Sequence, residues 1–182
     1  MRIRSLVIPF AAAALVLAAC SSQGEPSAPS PNAEPPSAQG FNCSFNETKD
    51  GVTAVQEPGQ APELTVSSDA KVPKDLVVVP LCEGEGTASK PSDMVTVDYI
   101  GVGYKTQQVF DSSLERGEPA TFPLQGVIEG WTRGVSGVKP GGAVLLLVPS
   151  ELAYRERGNP PVILQNEALA FIVEVLAVNP SE

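Results

Sequence analysis

The sequence predicts an α+β fold with an antiparallel sheet and one short helix. Two observations carry that expectation. Runs of β-forming residues recur through the C-terminal half, separated by turns marked by Gly and Pro. Only one stretch has helical spacing, and it is brief.

The elements follow in order. Residues 41–75 read as largely irregular, with Lys49-Asp50-Gly51 and Glu57-Pro58-Gly59 as turns and short strands expected near 52–55 and 64–67. Residues 76–82 are strand-like, and Gly84-Glu85-Gly86 is a turn. Residues 94–100 place Val95, Val97 and Tyr99 on one face and Thr96 and Asp98 on the other. Residues 128–135 form the helix, weakened by Gly130 and Gly134. After the turn Lys139-Pro140-Gly141-Gly142, residues 143–148 are a continuous apolar run, the mark of a buried strand. Residues 168–178 alternate again, through Leu169, Phe171, Val173 and Val175.

Composition excludes several functions. The 182 residues contain no histidine, which removes Ser-His-Asp triads, Cys-His dyads and His-ligated metals. Lys and Arg number 12 against 21 Asp and Glu, a net charge of −9, and no basic block exists to hold a nucleic-acid backbone. With 42% hydrophobic and 18% charged residues, a packed core is expected rather than full disorder.

The N-terminus reads as an export signal. Arg2 and Arg4 precede an apolar stretch, residues 6–19, too short for a membrane span of ~20 residues. It ends Leu17-Ala18-Ala19-Cys20 and then turns polar, which resembles the bacterial lipoprotein signal. That resemblance implies removal of residues 1–19 and lipidation of Cys20, hence anchoring on the extracytoplasmic face of the cell membrane. The other reading is an ordinary secretory signal with a chance cysteine. Residues 21–40 are almost all Pro, Ser, Ala, Gly or polar, so they read as a disordered linker that follows Cys20. Cys43 and Cys82 remain. An oxidising compartment allows them to pair, and closing that loop would stabilise by roughly 3–4 kcal/mol; the alternative is two buried free thiols.

Of the ten aromatic residues, seven follow Leu76, so an aromatic-lined cavity is expected in this half. Their contexts are specific. Val109-Phe110-Asp111-Ser112-Ser113 is followed by Phe122-Pro123-Leu124, then Val127-Ile128-Glu129-Gly130-Trp131, then Val148-Pro149-Ser150-Glu151-Leu152-Ala153-Tyr154, then Leu169-Ala170-Phe171-Ile172-Val173. This ordered set resembles the FKBP-type peptidyl-prolyl cis-trans isomerases. The resemblance covers residues 76–178, preceded by an N-terminal extension at 41–75 and followed by a tail at 179–182.

The resemblance implies a twisted antiparallel sheet wrapped around one short helix, with a pocket between them. It assigns Tyr99, Phe110, Asp111, Val127, Ile128, Trp131, Tyr154 and Phe171 to that pocket. Trp131 matches the floor, and Tyr99, Phe110 and Phe171 match walls that receive a proline ring. Ile128 matches the residue whose backbone N–H binds the ligand carbonyl. Asp111 and Tyr154 match rim groups, and Ile163 matches an apolar substrate-binding position in the flap. The chain departs from the pattern at Arg155, where a glycine is usual, and at Ala120, where an aromatic is frequent.

Prolyl isomerisation suits this residue set. It needs no nucleophile, metal or cofactor, so the absence of histidine fits. The implied partners are Xaa-Pro segments of exported polypeptides and macrolides of the class this family binds. A monomer is the expected state. Three readings stay open: a membrane-tethered isomerase that assists folding, a catalytically weak binding or chaperone module, and a structural envelope lipoprotein.

Overall fold

The computed structural model describes residues 41, 43–58 and 60–181. The expected signal peptide at 1–19, the expected lipidation site Cys20 and the expected linker at 21–40 lie outside the described residues.

Two antiparallel sheets stack on each other. The smaller comprises β1 (Phe45–Lys49), β2 (Val52–Gln56) and β3 (Glu63–Val66) in the order β1-β2-β3. A two-residue turn, Asp50-Gly51, joins β1 to β2, and both residues have positive φ (51° and 84°), as tight hairpins require. The expected strands near 52–55 and 64–67 are present, and β1 is an addition. Its pattern is too polar to register, because only one of its faces touches apolar neighbours.

The larger sheet contains β4 (Val77–Cys82), β5 (Met94–Gly103), β6 (Val109–Ser112), β7 (Ala120–Pro123), β8 (Ala143–Val148) and β9 (Leu169–Asn179). Its order is β4-β8-β9-β5-β6, with β7 also on β5. One edge of β5 thus serves two partners: residues 94–97 pair with β7, and residues 100–102 pair with β6. Between β6 and β7 sits a single turn of helix, α1 (Ser113–Arg116), capped by Ser112. The second helix, α2 (Glu129–Val135), begins one residue after the expected start.

Strand alternation divides the core in two. Val95, Val97, Tyr99, Val144, Leu146, Val148, Phe171 and Val173 face α2. Ile100, Val102, Ala143, Leu145, Leu147, Ala170 and Ile172 share a core with Val52, Ala54, Leu64 and Val66 of the small sheet. This explains the unbroken apolar run in β8: both its faces are covered, and all six residues are buried. A disulfide between Cys43 and Cys82, with Cα atoms 6.3 Å apart, staples the start of the small sheet to the end of β4.

Gly130 and Gly134, which weaken α2 as an isolated helix, let it lie directly on β8. A Cβ at Gly130 would overlap Val148, and one at Gly134 would sit 2.6 Å from Leu146 Cδ2. The helix therefore trades intrinsic propensity for close approach to the sheet.

Candidate active site

Between α2 and its face of the large sheet lies an open-mouthed cavity of about 490 Å³. β5 supplies Tyr99, β6 supplies Phe110 and Asp111, and β9 supplies Phe171. β7 supplies Phe122, and the loop entering α2 supplies Gly126, Val127 and Ile128. Trp131 comes from α2 and Tyr154 from the loop after β8.

Trp131 is the hub of the aromatic lining. Its ring lies 5.2 Å from Tyr99, 5.5 Å from Phe171 and 5.8 Å from Phe122, at interplanar angles of 82° to 88°. Phe110 meets Phe171 in the same way, at 5.5 Å and 87°. Edge-to-face contact is the favourable geometry for aromatic rings. Rings held on one another by their edges do not collapse into the space beside them, so the cavity stays open. Gly101 makes room for the pair: a Cβ there would lie 2.6 Å from Phe110 Cζ and 2.9 Å from Phe171 Cε1.

One edge of the cavity is polar. The Tyr99 hydroxyl donates to Asp111 Oδ2 at 2.6 Å and accepts from Arg116 Nη2 at 2.9 Å. Arg116 also forms an ion pair with Asp111 and places its guanidinium 5.4 Å from the Tyr99 ring centroid. Burial, reinforced by the Asp111 carboxylate, pushes the Tyr99 hydroxyl up to about 12, so it stays protonated at ordinary pH. Burial, with the Asp111 charge second, likewise raises Tyr154. Asp111 therefore reaches the cavity with both carboxylate oxygens engaged, Oδ2 by Tyr99 and Oδ1 by Arg116.

The two serines after Asp111 hold the scaffold. Ser112 Oγ accepts from Glu115 N and caps α1. Buried Ser113 donates to Asp98 Oδ1 at 2.7 Å and accepts from Tyr99 N at 2.9 Å, fixing the strand that carries Tyr99. Ile128 precedes α2, and its carbonyl accepts from Trp131 N at 2.9 Å.

The structure gathers Tyr99, Phe110, Asp111, Val127, Ile128, Trp131, Tyr154 and Phe171 around one cavity. Ile163 lies elsewhere. It is 1% exposed, packed in the helix-side core and outside the cavity lining. Paired hydrogen bonds between Asn159 and Ile163 turn the loop so that Ile163 points inward, while Val162 and Leu164 are 44% exposed. Sequence reasoning left Phe122 and Gly126 out of the site and missed Arg116. For Arg116 the only signal is an arginine five residues after Asp111, which becomes meaningful once α1 folds it back. Arg155 keeps a left-handed backbone, φ 55°, at the position where the family pattern has glycine. Its Nε donates to Glu151 O, and its guanidinium lies 3.8 Å from Glu129. Among the described residues no group of three or more Cys, Asp or Glu is placed to hold a metal ion.

Comparison with known proteins gives consistent matches. The family model for FKBP-type peptidyl-prolyl cis-trans isomerase matches residues 85–176. A probable FK506-binding protein of Corynebacterium glutamicum is 40% identical over 105 residues, 58% of this chain and 88% of that protein. The peptidyl-prolyl cis-trans isomerase Mip of Coxiella burnetii is 47% identical over 95 residues, 52% of this chain but 41% of Mip. The crystal structure of FkpA from Escherichia coli superposes with a TM-score of 0.56 at 38% identity, covering 74% of this chain and 55% of FkpA. The chain thus spans most of the Corynebacterium protein and about half or less of the other two.

Proposed function

The chain belongs to the FKBP-type peptidyl-prolyl cis-trans isomerase family, and from that premise we propose that it is a membrane-anchored prolyl isomerase assisting the folding of exported proteins. The observation that carries the catalytic half is the cavity: a mainly aromatic and apolar lining, with one polar edge where Tyr99 and Asp111 are held by each other and by Arg116.

Rotation about an Xaa-Pro bond faces a barrier of ~18–20 kcal/mol, because twisting destroys amide resonance. The planar amide is more charge-separated than the twisted one. Removing it from water therefore disfavours the ground state more than the transition state. In this reading the proline ring sits over Trp131, between Tyr99, Phe110 and Phe171. The Ile128 N–H holds the neighbouring carbonyl. Asp111 is kept in place by Arg116, so its charge does not draw water into the pocket. A reduction of ~4 kcal/mol in the barrier gives about a thousandfold acceleration. The substrates are Xaa-Pro segments of exported polypeptides, and macrolides of the FKBP-ligand class fit the same cavity.

The anchoring half rests on the sequence alone. Two acyl chains on Cys20 suffice for stable attachment, where one is marginal. Cys20→Ser should move the protein from the membrane fraction to the soluble one, and retention in the membrane would reject the anchor.

The deciding experiment is a protease-free isomerisation assay on a panel of Xaa-Pro peptides. Phe110→Ala should cut kcat/KM by ~10-fold or more while the chain stays folded. Peptide binding without acceleration would instead mark a binding module, with Arg155, next to the cavity residue Tyr154, as the first residue to replace with glycine.

A further inference from the structure

Glu167 is a carboxylate buried to 1% exposure two residues before β9, and no pattern in the sequence singles it out. Its two oxygens divide their work. Oε1 accepts from Lys105 N and Thr106 N, both at 3.0 Å, and from Thr106 Oγ1 at 3.2 Å. Oε2 accepts from Leu164 N at 2.6 Å. One side chain thus binds the β5–β6 turn to the loop of residues 154–166. Lys105 Nζ adds a bond to Gln165 O at 2.5 Å across the same junction. The site is built for this contact: a Cβ on Gly103 would collide with Glu167 Oε1, so only glycine lets the carboxylate reach the turn.

Each segment that Glu167 joins carries a cavity residue. The β5–β6 turn leads into Phe110. The 154–166 loop opens on Tyr154 and closes back on itself, Asn166 N donating to Arg155 O at 2.8 Å. Glu167 itself sits four residues before Phe171 on the segment entering β9. Phe110, Tyr154 and Phe171 all line the cavity, whereas the hydrogen-bond partners of Glu167 are Lys105, Thr106 and Leu164. Hydrogen bonds to an ionised acceptor are roughly twice as strong as neutral ones, and a buried acceptor with four donors has little freedom to move.

We propose that Glu167 is a positioning residue for the prolyl site: its carboxylate sets the spacing of Phe110, Tyr154 and Phe171 and so the fit of the proline ring. The proposal rests on the isomerase reading above. It also makes the 154–166 loop a preset wall rather than a lid that forms on binding.

Glu167→Gln is the direct test. A glutamine replaces one acceptor oxygen with a donor, so either the turn or Leu164 N loses its partner whichever way the amide points. With the full chain, Glu167→Gln should raise KM for Xaa-Pro peptides ~10-fold while kcat changes less than about twofold. Peptide affinity read from the fluorescence of Trp131, the single tryptophan, should weaken by the same factor. Thr106→Val, which removes only the hydroxyl donor, should fold and shift KM in the same direction by about twofold. Val52→Ala, in the small sheet that packs on the face of the large sheet away from the cavity, supplies a variant of lowered stability that should leave KM unchanged. The proposal is overturned if folded Glu167→Gln and Thr106→Val keep the wild-type KM, or if Val52→Ala raises it equally. Should Glu167→Gln fail to fold, Thr106→Val decides. A wild-type chain that neither accelerates isomerisation nor answers prolyl peptides in fluorescence would reject the isomerase reading itself, an outcome seen before any variant is made.

Discussion

On one face of the large sheet, Val102, Leu145, Leu147 and Ile172 share a core with Val52, Ala54 and Leu64 of the small sheet. On the other face, Tyr99 and Phe171 meet Trp131 around a cavity of about 490 Å³. The same strands, β5, β8 and β9, supply both. The aliphatic face interdigitates with its cover, as cores do when small branched side chains fill the gaps between one another. The aromatic face cannot fill itself the same way, because rigid rings locked edge to face leave the space between them open. One face stores stability and the other holds a site, and the division lies in side-chain shape rather than in backbone.

Substitutions on the two faces should therefore separate. The largest expected effect is on the aliphatic side: Leu147→Ala, at a position with 0% exposure, should cost about 2–5 kcal/mol in denaturant unfolding and leave kcat/KM of the folded fraction unchanged. Phe110→Ala should show the reverse, losing catalysis with the smaller loss of stability, since Phe110 is only partly buried. Equal effects of both variants on both quantities would erase the distinction.

A subtler comparison uses one tyrosine from each face. Tyr99 beside the cavity and Tyr104 in the aliphatic core are both pushed up to about 12, chiefly by burial. The unfolded chain ionises its tyrosines near 10, so above that pH the native state holds protons the unfolded state has released. The stabilising contribution is complete below pH 10 and is lost as pH rises towards 12. An alkaline absorbance titration should show neither tyrosine ionising at its ordinary value until the protein unfolds. Tyr99→Phe should remove the Tyr99 contribution and leave those of Tyr154 and Tyr104. Free titration of all tyrosines near 10 in the folded protein would contradict the burial that both faces share.

Much of this arrangement was legible in the residues. The alternation in β5 and β9 assigned Val95, Val97, Tyr99, Leu169, Phe171, Val173 and Val175 to one face, and the structure has them there. The run at 143–148 announced a strand covered on both sides. Less was legible in β1, β6 and β7, which are short and half-polar and take their shape from the strands they pair with. The turn of α1 was missed because four residues carry no period, and its cap, Ser112, reads equally well as a loop serine.

What the sequence determined by itself is therefore local: the strand periods, the place of the main helix, the absence of histidine chemistry and the ordered aromatic set. Each is written within a few residues of chain, where pleat and side-chain shape act directly. Tertiary structure alone decided which polar groups meet. Arg116 reaches Tyr99 across 17 positions of chain, and Glu167 reaches Lys105 across 62. It also decided that Ile163 turns inward and that residues 45–66 cover the back of the sheet. The reason is physical: a buried donor or acceptor is satisfied by whatever the folded chain brings within about 3 Å, and that neighbour has no fixed distance along the sequence.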